Sequence, residues 1–208
     1  MTVFFEDKYL IVAYKEPGVA SQADPSGRAD MVSLLRERGG GDVFCVHRLD
    51  TATGGIMVFA KDSRTAGRLM EVLSSDSALK QYMCVVRGSI SGCGSMTDLL
   101  YHDKRKNKAY VVDRKRAGVK EALLDYEDIC EKDGLSLVRV TLHTGRTHQI
   151  RVQFASRRLP LLGDGKYGSK DNCPLALRCI RLAFDHHYTK RRLDYTSLPE
   201  SPWHTFDI

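Results

Sequence analysis

The 208 residues carry a formal charge of +6, and 42% of them are hydrophobic. That is enough to bury a substantial core in a single domain, 1–208, and a basic balance suits a polyanionic partner. No apolar run is long enough to span a bilayer, and the N-terminus, with Glu6 and Asp7, lacks the pattern of a secretory signal, so a helical membrane protein is excluded and a cytoplasmic one expected.

The first strand is predicted over 9–14, ending at the turn Lys15-Glu16-Pro17-Gly18. Residues 21–30 are polar and read as a loop. Met31, Leu34 and Leu35 have helical spacing, and Gly39-Gly40-Gly41 stops that helix. The stretch from Phe44 to Phe59 then sets two apolar runs around a polar hinge, His47-Arg48-Leu49-Asp50, followed by Thr53 and Gly54-Gly55. Ile56 to Phe59 reads as a buried strand. The glycines are expected to turn the backbone sharply and to let a ligand approach closely. Asp62-Ser63 can cap a helix whose apolar face is Ala66, Leu69, Met70 and Leu73.

Residues 81–87 read as a strand and 88–94 as a turn region. From Lys104 to Lys120 the chain is dense in Lys and Arg, around Tyr110-Val111-Val112. This segment reads as an exposed hairpin. It fits a phosphate-contacting arm and equally a solvated face. Two strands follow, 123–129 and 135–142, joined by a turn at Lys132-Asp133-Gly134. His143-Thr144-Gly145 is a second hinge, leading into a helix over about 147–157 that Pro160 would break. Residues 175–184 form the last strong strand, with 191–196 as its pairing partner. Strands outnumber helices and follow one another through short turns, which predicts an α+β domain with a mostly antiparallel sheet.

The six cysteines form no Cys-x-x-Cys pair and no zinc-like cluster, and several lie in apolar runs. They are expected to be reduced thiols, as in the cytoplasm.

Three constellations carry chemistry. They are His47-Arg48-Leu49-Asp50, Lys80-Gln81-Tyr82, and Gly145 to Arg151 followed by Gly163-Asp164 and Tyr167-Gly168. Together with the turn at Lys15 and Phe59-Ala60-Lys61, these motifs stand in the order of the RluA family of RNA pseudouridine synthases, which the chain resembles from about Phe5 to Phe206, in the form without an N-terminal S4 RNA-binding domain. The resemblance implies a bifurcated, mostly antiparallel sheet flanked by helices, with a central cleft. It implies isomerisation of a uridine in ribosomal or transfer RNA, flipped out of its stack, by a monomer with no metal or organic cofactor.

Residue by residue, Asp50 matches the catalytic carboxylate. Arg151 matches the arginine that pairs with it, favouring its charged form. Tyr82 matches the tyrosine that stacks near the target base and can help remove the C5 proton. Arg48 matches the arginine that fills the gap left by the base. His47 fits a substrate contact and equally a structural loop residue. Ile150 fits the side of the base pocket or a plain core position. Arg146 is placed with the substrate-binding residues, and His148 and Gln149 order their loop. The chain departs from the family pattern at Gly54 (usually Ser), at Lys15-Glu16-Pro17 (usually Lys-Pro) and at His186-His187 (commonly His-Pro). Two rival readings are weaker. An RNA-binding protein without chemistry does not need Asp50, Tyr82 and Arg151 together. A kinase-like loop needs Asp directly after Arg, where Leu49 stands.

Overall fold

A computed structural model describes residues 1–25 and 27–199. The end of the family resemblance, 200–206, lies outside the described residues. In chain order the elements are β1 (Val3–Glu6), β2 (Leu10–Lys15), α1 (Met31–Gly39), β3 (Phe44–Cys45), β4 (Gly54–Ala60), α2 (Ser63–Ser74) and β5 (Leu79–Arg87). Then come β6 (Cys93–Asp103), β7 (Lys108–Val112), β8 (Val119–Lys132), β9 (Leu135–Leu142), α3 (Gln149–Ser156), β10 (Leu177–Asp185) and β11 (Arg192–Thr196). The chain divides into two compact units, Met1–Leu79 with Cys179–Ser197, and Lys80–Arg178 with Leu198 and Pro199.

In the first unit β2 pairs antiparallel with β1 and β4, and β10 with β11. All seven residues of β4 are buried, which is why its sequence is a continuous apolar run rather than an alternating one. The helix α2 lays Ala66, Leu69 and Leu73 on a core of Leu10, Val12, Val58, Leu182 and Phe184. Met70, expected on that face, is 48% exposed. Its position is rotated about 100° from Leu69, and the strip at 66, 69 and 73 already covers the sheet. Each helix of this unit starts on an aspartate. Asp30 accepts from the Ser33 amide at 3.1 Å, and Asp62 from the Thr65 amide at 2.7 Å and its hydroxyl at 2.6 Å. Gly40, in the left-handed region, closes α1 as predicted.

In the second unit β5 pairs with β9, β9 with β8, β8 with β6 and β6 with β7, all antiparallel. Besides the two-residue β3, two strands escape the sequence reading. The first is β1, four residues long. The second is β6, whose inward residues Met96 and Leu100 stand four apart and mimic a helical period. It begins at Cys93, inside the expected turn region. The basic segment is two turns with β7 between them, and β7 is not wholly exposed: Ala109 is buried with Leu100, Ala122 and Val152. The helix α3 is shorter than predicted at both ends. His148 sits at φ 54° and Arg158 at φ 64°, conformations that cannot lie inside a helix, so the helix stops before Pro160 exerts any effect.

Replacing Leu69 by Ala is expected to cost about 2–5 kcal/mol in denaturant unfolding, since its side chain is fully buried. Asp62→Ala should cost about 1 kcal/mol at neutral pH. The Thr65 hydroxyl and then its amide hold the Asp62 carboxyl below its ordinary value of 3.8. The wild-type advantage is therefore full above that value and disappears as the pH falls through the lower folded-state value, which a pair of urea titrations across that range would read.

Candidate active site

The backbone around Asp50 is braced on both sides. Before it, Leu49 is buried, its amide donates to Ser21 Oγ at 3.0 Å, and Ser21 Oγ donates back to the Leu49 carbonyl at 2.8 Å. After it, the Thr51 carbonyl accepts from the Gly18 amide at 2.8 Å and from Lys15 Nζ at 3.2 Å. The Thr53 amide donates to the Asp50 carbonyl at 2.9 Å, closing a turn. The Lys15 side chain is wholly buried, and its ammonium also reaches the carbonyls of Val19 at 2.7 Å and Glu16 at 3.2 Å. A buried ammonium is tolerable when carbonyl oxygens replace its water. The result is a stiff turn that leaves Asp50 half-buried and Arg48 exposed.

His47 has a structural task. β3 leaves β4 after Cys45, and His47 Nε2 then accepts the Val58 amide at 3.1 Å. A ring nitrogen that accepts carries no proton, so the neutral ring has its hydrogen on Nδ1. Burial pushes the neighbouring Cys45 thiol up to about 11, and it donates as a neutral group to the His47 carbonyl. The glycine expectation needs revision at Gly55. It has φ 133°, and a Cβ there would lie 2.4 Å from the Cys179 carbonyl oxygen. What approaches closely is the strand β10, not a ligand.

In the second unit, Tyr82 is a buried residue of β5, in register with Val140 of β9. Arg151 projects from α3 and grips Asp164 with two bonds, Nε to Oδ2 and Nη2 to Oδ1, each 2.7 Å. Both side chains are buried, a fork-to-fork geometry that fixes the guanidinium plane. The Tyr167 ring lies 5.2 Å from the guanidinium carbon. Its hydroxyl accepts the Ala109 amide of β7 at 2.8 Å and sits 3.0 Å from His148 Nδ1. Ile150 is buried. Arg146 Nε donates to the Glu121 carbonyl at 2.8 Å.

The helix α3 has no side-chain cap of the ordinary kind. Gln149 orders its approach instead, as expected, accepting from the Arg146 amide and the Thr144 hydroxyl and donating to the Leu123 carbonyl. Sequence reasoning missed three groups: Lys15 and Ser21 as braces, and Asp164 as a partner of Arg151. A lysine closing a buried strand was a usable signal for the first. Nothing local pairs residues 151 and 164. Among the described residues no group of three or more His, Cys, Asp or Glu could hold a metal ion. All six cysteines are free thiols.

Tyr167→Phe should orphan the buried Ala109 amide. A loss of about 1–3 kcal/mol in thermal unfolding is expected, with faster hydrogen exchange at Ala109. Unchanged exchange there would mean that the hydroxyl does not hold β7.

The comparisons with known proteins agree with these motifs. The family described as RNA pseudouridylate synthase matches residues 9–156. Transfer RNA pseudouridine synthase C of Haemophilus influenzae is 28% identical, over 98% of this chain and 95% of the relative. Ribosomal large subunit pseudouridine synthase D of Borreliella burgdorferi is 34% identical, over 82% of this chain and 56% of the relative. The solved structure of human RNA pseudouridylate synthase domain containing 1 superposes with a TM-score of 0.80 at 20% identity, covering 98% of this chain and 85% of that one. With most of its length matched by the family and its α+β fold shared, the chain belongs to the RNA pseudouridine synthases of the RluA type.

Proposed function

We propose that Asp50 is the catalytic carboxylate of this RNA pseudouridine synthase, acting as nucleophile or base on a uridine extruded from structured RNA. The family reaction conserves atoms. The bond from N1 of uracil to the sugar breaks, the ring turns, and C5 bonds to the sugar. The C5 proton leaves and N1 gains one. Asp50 starts the first step and must be ionised to do so. Arg151, whose guanidinium plane is fixed by Asp164, supplies the cation that steadies it, as the family pattern implies. Tyr82 covers the base and takes part in removing the C5 proton. Arg48 enters the stack where the base was, and His47, Ile150 and Arg146 frame the site.

The observation that carries this reading is the bracing of the Asp50 turn at residues 49 and 51. A group held rigidly and left partly open to solvent suits attack at one defined atom. The RNA is ribosomal or transfer RNA, in keeping with the names of the relatives. The segment 104–120 contacts phosphates of that RNA without reading its sequence. Residues 1–208 act as one catalytic domain, in a monomer in the cytoplasm, without a metal or organic cofactor.

Asp50→Ala should lower pseudouridine formation by about 10³-fold or more while RNA affinity and thermal stability stay near wild type. Retained turnover in that variant would remove Asp50 from the mechanism. Arg151→Ala is a less clean test. It strands Asp164 as a buried charge and should cost about 3–5 kcal/mol of stability besides activity. Lys15→Met keeps the volume but loses the bond to Thr51. It should lower kcat more than it raises KM, because the turn is no longer aimed; a change confined to KM would deny that role.

A further inference from the structure

At the far end of β4 from Asp50, roughly 20 Å away by strand rise, the first unit has a second feature that the reaction does not use. It is a cavity of about 430 Å³ lined by Arg64, Arg68 and Glu71 of α2 and by His187, Tyr188 and Lys190 of the turn between β10 and β11. Three cations face one carboxylate there. Glu71 is partly engaged by Arg68, at 3.3 Å. Among the described residues the side chains of Arg64 and Lys190 have no hydrogen bond or ion pair. Arg64 and Arg68 are one helical turn apart and both exposed, so they project along one stripe of α2.

The wall opposite α2 is rigid and aromatic. His186, 1% exposed, accepts the Tyr188 and Thr189 amides at Nδ1 and donates from Nε2 to Asp7 at 3.1 Å. That ties the turn to the chain between β1 and β2. On this support Tyr188 stacks against Tyr9, with ring centroids 4.0 Å apart, while remaining 43% exposed. The His187 ring lies 3.9 Å from that of Tyr188, and its two ring nitrogens are buried with no partner among the described residues. Burial first, and then the His186 ring, hold His187 below its ordinary value, so the positive charge of the cavity comes from the arginines and Lys190.

We propose that this cavity is a remote RNA-binding site, taking a backbone phosphate of the substrate strand between Arg64, Arg68 and Lys190 and offering Tyr188 to a neighbouring base. The inference rests on RNA being the substrate. Cations beside an exposed aromatic ring are the combination by which single strands are held without sequence preference. At roughly 20 Å from Asp50 the site engages nucleotides flanking the target, not the target itself. Glu71 lowers the affinity, so removing its charge raises it.

The test uses the full chain and a labelled 20-nucleotide uridine-rich single strand, with affinity measured by anisotropy over a salt series. Arg64→Gln with Arg68→Gln should weaken binding about tenfold and reduce the slope of log affinity against log salt by about 0.7 to 1.4, one to two phosphates' worth. Glu71→Gln should tighten binding a few-fold, and Arg64→Lys with Arg68→Lys should recover most of the loss. A merely structural role for α2 predicts none of this ordering. Wild-type affinity and slope in the double Gln variant would overturn the site. So would an equal loss for a uridine trinucleotide, which is too short to reach both places, or competition by inorganic phosphate alone at the same concentration in wild type and variant. If the wild-type protein itself neither bound the strand nor formed pseudouridine in cellular RNA, the reading of RNA as substrate would fail instead, and with it this one.

Discussion

The buried ammonium of Lys15 is the constraint on which the first unit's candidate site depends. It stands at the end of β2, with no exposure, and bonds to carbonyls of Glu16, Val19 and Thr51. Taking an ammonium out of water costs several kcal/mol. Three fixed carbonyl dipoles return part of that, and a methionine of similar size would avoid the cost altogether. The gain is directional. A charge that must satisfy three carbonyls at once admits only one arrangement of the loops that carry them, and one of those loops carries Asp50. Ser21, bonded to both the amide and the carbonyl of Leu49, fixes the other side.

The second unit uses the same logic with opposite charges. Arg151 and Asp164 are buried together, and each would be costly alone. Their planar pairing sets the orientation of a guanidinium on a helix whose first turn has no side-chain cap. Tyr167 extends the fixture, stacking on Arg151 and hydrogen-bonding to β7, so the basic turns at either end of β7 are anchored to the element that carries Arg151. Rigid placement matters here because chemistry at one defined atom needs charged groups held in one orientation.

The net charge of +6 is not spread evenly. One share lies along 104–120, another on α2 and the β10–β11 turn. His186 and Asp7 make that turn stiff, and His187 stands where the family resemblance leads one to expect proline. A proline would present no ring wall for Tyr188 to lean on. The histidine thus forms part of the cavity wall, while the strand pairing of β10 and β11 around it is regular over five residue pairs.

Much of this protein was legible in the sequence. Apolar runs gave β2, β4, β5, β9 and β10, capping residues gave α1 and α2, and motif order gave the family, because those signals are local or stand at fixed spacing. Met70 was misread because an apolar residue's period shows that it could face a core, not whether the core has room, and β6 was not read at all, since its two inward apolar residues stand four apart. Gly55 was read as a ligand's neighbour, yet the backbone of Cys179, over a hundred residues away, is what excludes a side chain there. Residue types, turn chemistry and the identity of Asp50, Tyr82 and Arg151 as candidates were determined by the chain itself. The bracing of Asp50 by Lys15 and Ser21, the choice of Asp164 for Arg151 and the cavity beside His187 were decided only in three dimensions, since charges and hydrogen bonds act through space and sequence separation carries no distance.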